Sequence, residues 1–259
     1  MRNKEVDIQY VGHSTYILDD KAGTRILIDP WLKNNPACPE KLQEPKNIDY
    51  ILITHGHFDH IGDLFAAIEL NKDSKIITSL EISSWLNAKG VSNTLPMGIG
   101  GTQPIDNEIK VTMVNAVHAS GIADDSSEAM LYGGVANGFI LTFKNGFSIY
   151  FAGDTAIFSD MKLIGEIYSP DVAVLPIGDH FTMGPKEAFY ATKLIGAKHV
   201  IPFHYGTFPV LVGTPEEYIE LVKDLNVSVY VMNPGDVLYW TDGSVNPWGS
   251  NLFWNGGVC

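Results

Sequence analysis

The stretch Thr54-His55-Gly56-His57-Phe58-Asp59-His60 places three imidazoles and one carboxylate within six positions. The whole chain has only eight histidines, so chance would rarely set three of them at i, i+2 and i+5 with an aspartate between. Neutral imidazole nitrogens and carboxylate oxygens are the donors that zinc and similar divalent ions take, and the stretch reads as the nucleus of a metal site. The bland alternative is a polar loop whose histidines cap backbone groups. An apolar run, Ile48 to Ile53, precedes it as a short buried strand. After it Ile61, Leu64, Phe65 and Ile68 recur at helical spacing, which puts Asp59 and His60 at a helix N-terminus. His55 and His57, alternate residues of an extended segment, then point the same way.

Upstream, Val6 to Val11, Thr15 to Leu18 and Arg25 to Ile28 read as three strands. The first two are joined by Gly12-His13-Ser14, and the third ends in Asp29-Pro30-Trp31, where proline stops the ladder. Residues 33–47 read as a loop. Downstream, Lys75 to Thr78 suits a strand, Glu81 to Lys89 a helix ended by Gly90, and Glu108 to Val117 a strand ending on His118. Ala119 to Tyr132 reads as an exposed excursion of the kind that rims a site, or as a solvated acidic loop. Phe139 to Phe143 and Phe147 to Phe151 flank Lys144-Asn145-Gly146, a hairpin signal, and the second strand leads to Gly153-Asp154-Thr155. Asp171 to Leu175 opens into Pro176-Ile177-Gly178-Asp179-His180, and a helix follows over Pro185 to Ile195. Val200 and Ile201 lead to His204; Pro215 to Leu225 is a helix and Val227 to Met232 a strand. The tail from Thr241 resolves no element.

Asp29, His55, His118, Asp154, His180 and His204 thus each follow an apolar, strand-like run. Strand ends are where loops gather catalytic groups.

In that order, His55-x-His57-x-Asp59-His60 with later His118, Asp154 and His204 resembles the metallo-β-lactamase-fold hydrolases over nearly the whole chain. Gly12-His13-Ser14-Thr15, Pro176-Ile177-Gly178-Asp179 and Phe181-Thr182-Met183-Gly184-Pro185 look like a bacterial and archaeal branch of metal-dependent hydrolases related to the ascorbate-phosphate lactonases. The resemblance implies an α+β fold, a four-layer αββα sandwich forming a single domain over residues 1–259, with two metal ions at one edge. It implies His55, His57 and His118 on the first ion, Asp59, His60 and His204 on the second, Asp154 between them, and Asp29 behind a ligand histidine.

Two such cations lower the pKa of a bridging water, giving a hydroxide nucleophile, and polarise a scissile carbonyl or phosphoryl oxygen. The expected activity is hydrolysis of a small molecule, a lactone, ester or amide. Zinc suits the donors, as do manganese and iron. Asp59 is also a candidate to orient the nucleophile or carry a proton, and His180 a candidate to donate one or bind substrate. His13 is expected at the rim of a substrate pocket, and His199 as a structural residue. A phosphodiesterase or RNA-processing nuclease on the same metal core is the alternative enzyme, and a catalytically silent metal-binding or ligand-sensing protein the alternative from another class. The diiron oxidoreductases of this fold resemble His-x-Glu-x-Asp at the first motif; His57 stands where that glutamate would be.

Composition bears on the choice. A net charge of −13 opposes attraction to nucleic acid or anionic membranes, and only two arginines, Arg2 and Arg25, are present to grip phosphate. With 259 residues and 45% hydrophobic content the chain can bury a large core without staples. Cys38 and Cys259 are too few and too far apart for a disulfide framework and read as free thiols. No signal-like or membrane-spanning run is evident, so the expectation is a cytoplasmic protein. Its Trp-rich stretch from Trp240 to Trp254 offers a surface for a homo-oligomer.

Overall fold

The computed structural model describes residues 6–241, 244–248 and 253–255, so Arg2 and Cys259 lie outside the described residues. The chain divides into two compact units. One comprises residues 1–101, 119–136 and 233–249, the other 102–118, 137–232 and 250–259.

The first unit is built on an eight-stranded mixed sheet in the order Ser244–Trp248, Val237–Thr241, Val6–Gly12, Thr15–Asp20, Arg25–Ile28, Tyr50–Leu52, Lys75–Ser79, Thr94–Met97. The last four strands run parallel to one another. Their sequences read as continuous apolar runs because both faces are buried: Tyr50, Ile51, Leu52, Ile76 and Ile77 are all shielded from solvent. Ile51, Ile53 and Ile76 pack with Leu64 and Ala67 of the helix Leu64–Leu70 and with Ile82 and Leu86 of the helix Leu80–Ala88. Each such isoleucine or leucine contributes roughly 1.5–3 kcal/mol by leaving water. Parallel strands share an edge for their carboxyl ends, so Asp29 and His55 emerge together.

The single helix expected after the motif is two. Phe58–Ile61 and Leu64–Leu70 are separated at Gly62 and Asp63. Tertiary bonds explain the break: Asp63 N–H donates to the Pro30 carbonyl at 3.0 Å, and its carboxylate accepts from Leu32 N at 2.6 Å and Asn34 Nδ2 at 2.9 Å. Gly62 has no room for a side chain, since a Cβ there would lie 2.5 Å from the Phe58 carbonyl. The tail also differs from expectation. Val237–Thr241 and Ser244–Trp248 extend this sheet, Phe253–Asn255 joins the other one, and Trp240 is buried rather than part of an exposed aromatic surface. Cys38 is a buried free thiol whose pKa rises to about 11, chiefly through burial and then through Asp63.

The second unit carries another eight-stranded mixed sheet, ordered Phe253–Asn255, Ser228–Tyr230, His199–Phe203, Val172–Pro176, Ser148–Phe151, Asn137–Thr142, Lys110–Asn115, Thr102–Pro104. Ser148–Phe151, Val172–Pro176, His199–Phe203 and Ser228–Tyr230 run parallel. Lys110–Asn115 runs the same way, because Asn137–Thr142 is antiparallel to it and to Ser148–Phe151. His118, Asp154, His180 and His204 consequently leave one edge of this sheet.

Ala173, Leu175 and Val200 pack with Ala188, Ala191 and Ile195 of the helix Pro185–Ile195 and Tyr218 of the helix Pro215–Val222. Inside that core the Tyr218 and Thr192 hydroxyls meet at 2.6 Å. A helix that the sequence did not announce, Met161–Tyr168, buries a short apolar face of Met161 and Ile164 and brings Gly165 against the Ile195 carbonyl. Among the described residues no helix is long and apolar enough to cross a membrane.

Candidate metal centre

In the first unit, the strand end at Asp29 and the motif after Tyr50–Leu52 are joined by a buried carboxylate. Asp29 adopts φ 48, a left-handed conformation that turns its side chain back toward the motif. Its Oδ1 accepts from Thr54 N at 2.8 Å; its Oδ2 accepts from Thr54 Oγ1 at 2.7 Å and from His60 Nδ1 at 2.8 Å. A carboxylate only accepts, so His60 carries its proton on Nδ1 and its lone pair on Nε2. The same logic reaches His55. Thr54 has one hydroxyl proton and gives it to Asp29, so the His55 Nδ1 lying 3.0 Å from Thr54 Oγ1 is the donor there, and Nε2 again holds the lone pair.

His55 Nε2 lies 3.0 Å from His57 Nδ1, and ligand-type atoms of His55 and His60 lie within 4.8 Å of each other. Asp59 stands beside them, its Oδ2 3.1 Å from His13 Nε2. The glycine of His-Gly-His has a steric reason: a Cβ on Gly56 would sit 2.6 Å from Ile122 Cγ1. Gly56 N–H donates to Ser120 Oγ at 3.1 Å, and Ser120 in turn donates to the Gly133 carbonyl at 3.0 Å.

That contact qualifies the reading of Ala119 to Tyr132 as an exposed excursion: most of it is exposed, but Ser120 and Ile122 are anchored. Its base is a small hairpin of Gly121–Ile122 and Leu131–Tyr132, with Ser120 and Ile122 buried in the first unit, while Tyr132 and most of the segment between the strands are exposed. His13, expected at a pocket rim, is 0% exposed and packs edge-on against Trp31 at 5.2 Å. A short turn need not face water when a helix and loop cover it, as happens here.

In the second unit, Asp154 is the centre. Its Oδ2 lies 3.0 Å from His204 Nε2 and 3.7 Å from His118 Nε2, with Asp154 and His204 almost wholly buried. Thr155 Oγ1 accepts from Val117 N at 3.0 Å, which ties the His118 segment to the Asp154 turn. His204 adopts φ 57, and its carbonyl abuts Gly178 so closely that a Cβ there would lie 1.9 Å away. Gly178→Ala is therefore expected to destabilise the protein by roughly 3 kcal/mol through displaced backbone. Thermal melts of the variant measure that loss, and an unchanged melt would contradict the contact.

His180, two residues beyond Gly178, is exposed, takes φ 60, and presents its ring edge-on to Phe181 at 4.5 Å. His199 is elsewhere: its Nδ1 meets the Tyr230 hydroxyl at 3.0 Å, and burial lowers its pKa, which suits a structural residue.

The structure thus brings His55, His57, Asp59, His60, Asp29 and His13 together in one unit and His118, Asp154 and His204 in the other. Sequence reading gave no role to Thr54, Ser14 and Thr15, although they stand in the quoted motifs, and passed over Ser120; these are common residue types whose partners lie far along the chain. The donor set fits divalent cations. It consists of imidazole and carboxylate with no thiolate, and two of its imidazoles are held in the tautomer that presents Nε2.

Residues 24–205 match the family model described as the beta-lactamase superfamily domain, which spans all seven ligand candidates. The chain belongs to that superfamily, and within it to the UPF0173 metal-dependent hydrolases. A protein of that description from Rubrobacter xylanophilus is 46% identical over 233 residues, 89% of this chain and 95% of the relative. One from Koribacter versatilis is 48% identical over 231 residues, 88% of this chain and 96% of its own. Among solved structures, Igni18, a metallo hydrolase from Ignicoccus hospitalis, superposes with a TM-score of 0.79 at 35% identity, covering 92% of this chain and 99% of that one. The α+β, metallo-β-lactamase fold expected from the motifs is the fold of the chain.

Proposed function

We propose that this hydrolase is dinuclear and acts on a small molecule, a lactone, ester or amide. His55, His57 and His118 would hold one ion, Asp59, His60 and His204 the other, with Asp154 serving both. The observation that carries the reading is the Asp29–Thr54–His55 and Asp29–His60 network, which fixes the ligand tautomer of two imidazoles at once. All seven proposed ligands lie within the matched residues 24–205. Two divalent ions, zinc or else manganese or iron, would supply an ionised water near neutral pH and polarise the scissile carbonyl.

The protein's own part is orientation and proton handling. Asp29 keeps His60 and, through Thr54, His55 in register. Asp59, held by His13, is placed to accept a proton at its carboxylate or to orient the nucleophile. His180, exposed at the strand edge that also carries Asp154 and His204, is the proposed proton donor to the leaving group. A net charge of −13 with two arginines favours a small substrate over nucleic acid. The protein is proposed to work in the cytoplasm as one hydrolase domain over residues 1–259.

The test is a panel of lactones, esters, amides and phosphodiesters, run on native protein, after chelation, and after metal is restored. Turnover of a neutral small substrate that vanishes and returns with metal supports the reading. Turnover confined to phosphodiesters or RNA makes it the nuclease, and none from fully metallated protein makes it a binding protein. Within the active case, Asp59→Asn with both ions retained is expected to lose roughly 100-fold or more in kcat; full activity would remove Asp59 from proton transfer.

A further inference from the structure

We propose that the Gly12–Thr15 turn is the positioning device of the metal motif, and that His13 sets the direction of the Asp59 carboxylate. The inference rests on the reading of Asp59 as a ligand. Three consecutive side chains of this turn reach three points around the motif. His13 Nε2 meets Asp59 Oδ2 at 3.1 Å, and Ser14 Oγ donates to the Asp59 carbonyl at 2.9 Å. Thr15 Oγ1 donates to the Asp29 carbonyl at 2.6 Å and accepts from Trp31 N at 3.2 Å. The turn therefore holds Asp59 by side chain and backbone together, and holds the backbone of the residue that orients His60 and, through Thr54, His55.

The backbone is shaped for this task. The pairing of Val6–Gly12 with Thr15–Asp20 shifts register between Tyr10 and Gly12. Gly12 takes φ 133 with Ala37 close by, and His13 takes φ 55. A left-handed conformation is costly for most residues other than glycine, but histidine is among those that adopt it more readily, so His13 can hold this turn while its side chain reaches Asp59. Complete burial of that ring against Trp31 removes solvent as its partner.

A ligand-type atom of His13 also lies within 4.8 Å of those of Asp59 and His60, which raises the question of whether His13 is itself a ligand. In this proposal it is a donor instead: the seven ligand candidates already fill both proposed sets, and toward a carboxylate that only accepts, His13 would hold Nε2–H where His55 and His60 present an Nε2 lone pair. Fixing Oδ2 stops rotation about the Asp59 Cβ–Cγ bond and so fixes where Oδ1 points.

Imidazole nitrogen-15 spectra of the chelated wild type test the tautomer, with His13 assigned by its loss in His13→Gln. The expected signature is a protonated Nε2 that shifts in Asp59→Ala. Competition with a chromophoric chelator tests the consequence. His13→Leu is expected to weaken one ion by roughly 10–100-fold while leaving the other unchanged. His13→Gln, which keeps a donor at similar reach and the same backbone strain, restores most of that affinity. An unprotonated His13 Nε2, an Asp59→Ala spectrum without a shift, or unchanged affinity for both ions in His13→Leu overturns the proposal. If His13→Leu does not fold, the two spectra decide. A wild type that binds fewer than two ions while His13 keeps its proton toward Asp59 overturns the dinuclear reading alone.

Discussion

Asp154→Ala is expected to lower kcat/KM by roughly a thousandfold or more while the metal-free protein stays folded. Asp154 is the carboxylate of the second-unit cluster, with Oδ2 3.0 Å from His204 and 3.7 Å from His118. Removing it leaves two imidazoles there and takes away the one anionic donor proposed to serve both ions. Polarisation of a scissile carbonyl by such an ion is worth several kcal/mol, and about 4 kcal/mol corresponds to three orders of magnitude in rate. The checks are kinetic constants on the panel substrate, metal content per chain, and a melt of the chelated variant. Near-native activity with both ions retained would show that Asp154 is not a shared ligand.

Asp29→Asn tests the network behind the ligands and is expected to act on stability as well as catalysis. The carboxylate accepts three hydrogen bonds in a site only 2% exposed. Asparagine tolerates φ 48, so the backbone is spared, but its amide has one acceptor oxygen and sets N–H groups against the donors Thr54 or His60. Leaving buried donors unsatisfied in this way costs about 3–5 kcal/mol, or roughly 10 °C in melting temperature for a chain of this size. His60 is then released to the other tautomer, and metal affinity falls by roughly 10–100-fold. Melts and chelator competition measure both. A variant with wild-type stability and wild-type metal affinity would contradict the role given to Asp29.

The metal motif was legible because its residue types are rare and adjacent. Histidine and aspartate at i, i+2, i+4 and i+5 announce themselves, and strand ends could be placed from apolar runs alone. The supports were not legible. Ser14 meets Asp59 across 45 positions and Gly56 meets Ser120 across 64, and serine and threonine are too common for such pairings to stand out in one sequence. His13 read as a rim residue because turns usually face water; only the fold shows Trp31 covering it. The helix after the motif read as continuous because periodicity cannot see Asp63 surrender its backbone N–H to Pro30. Beyond Thr241, asparagine and proline within Ser244–Trp248 and the glycines around it hide the strands from local propensity, and sheet pairing decides there instead.

Elemental analysis of natively purified wild-type protein, set beside its turnover of the substrate panel, is the most direct test of the central claim. The expected result is two divalent ions per chain, with hydrolysis of a neutral small substrate that rises and falls with their occupancy. Full turnover from protein carrying a single ion per chain, or no turnover from protein carrying two, would contradict it.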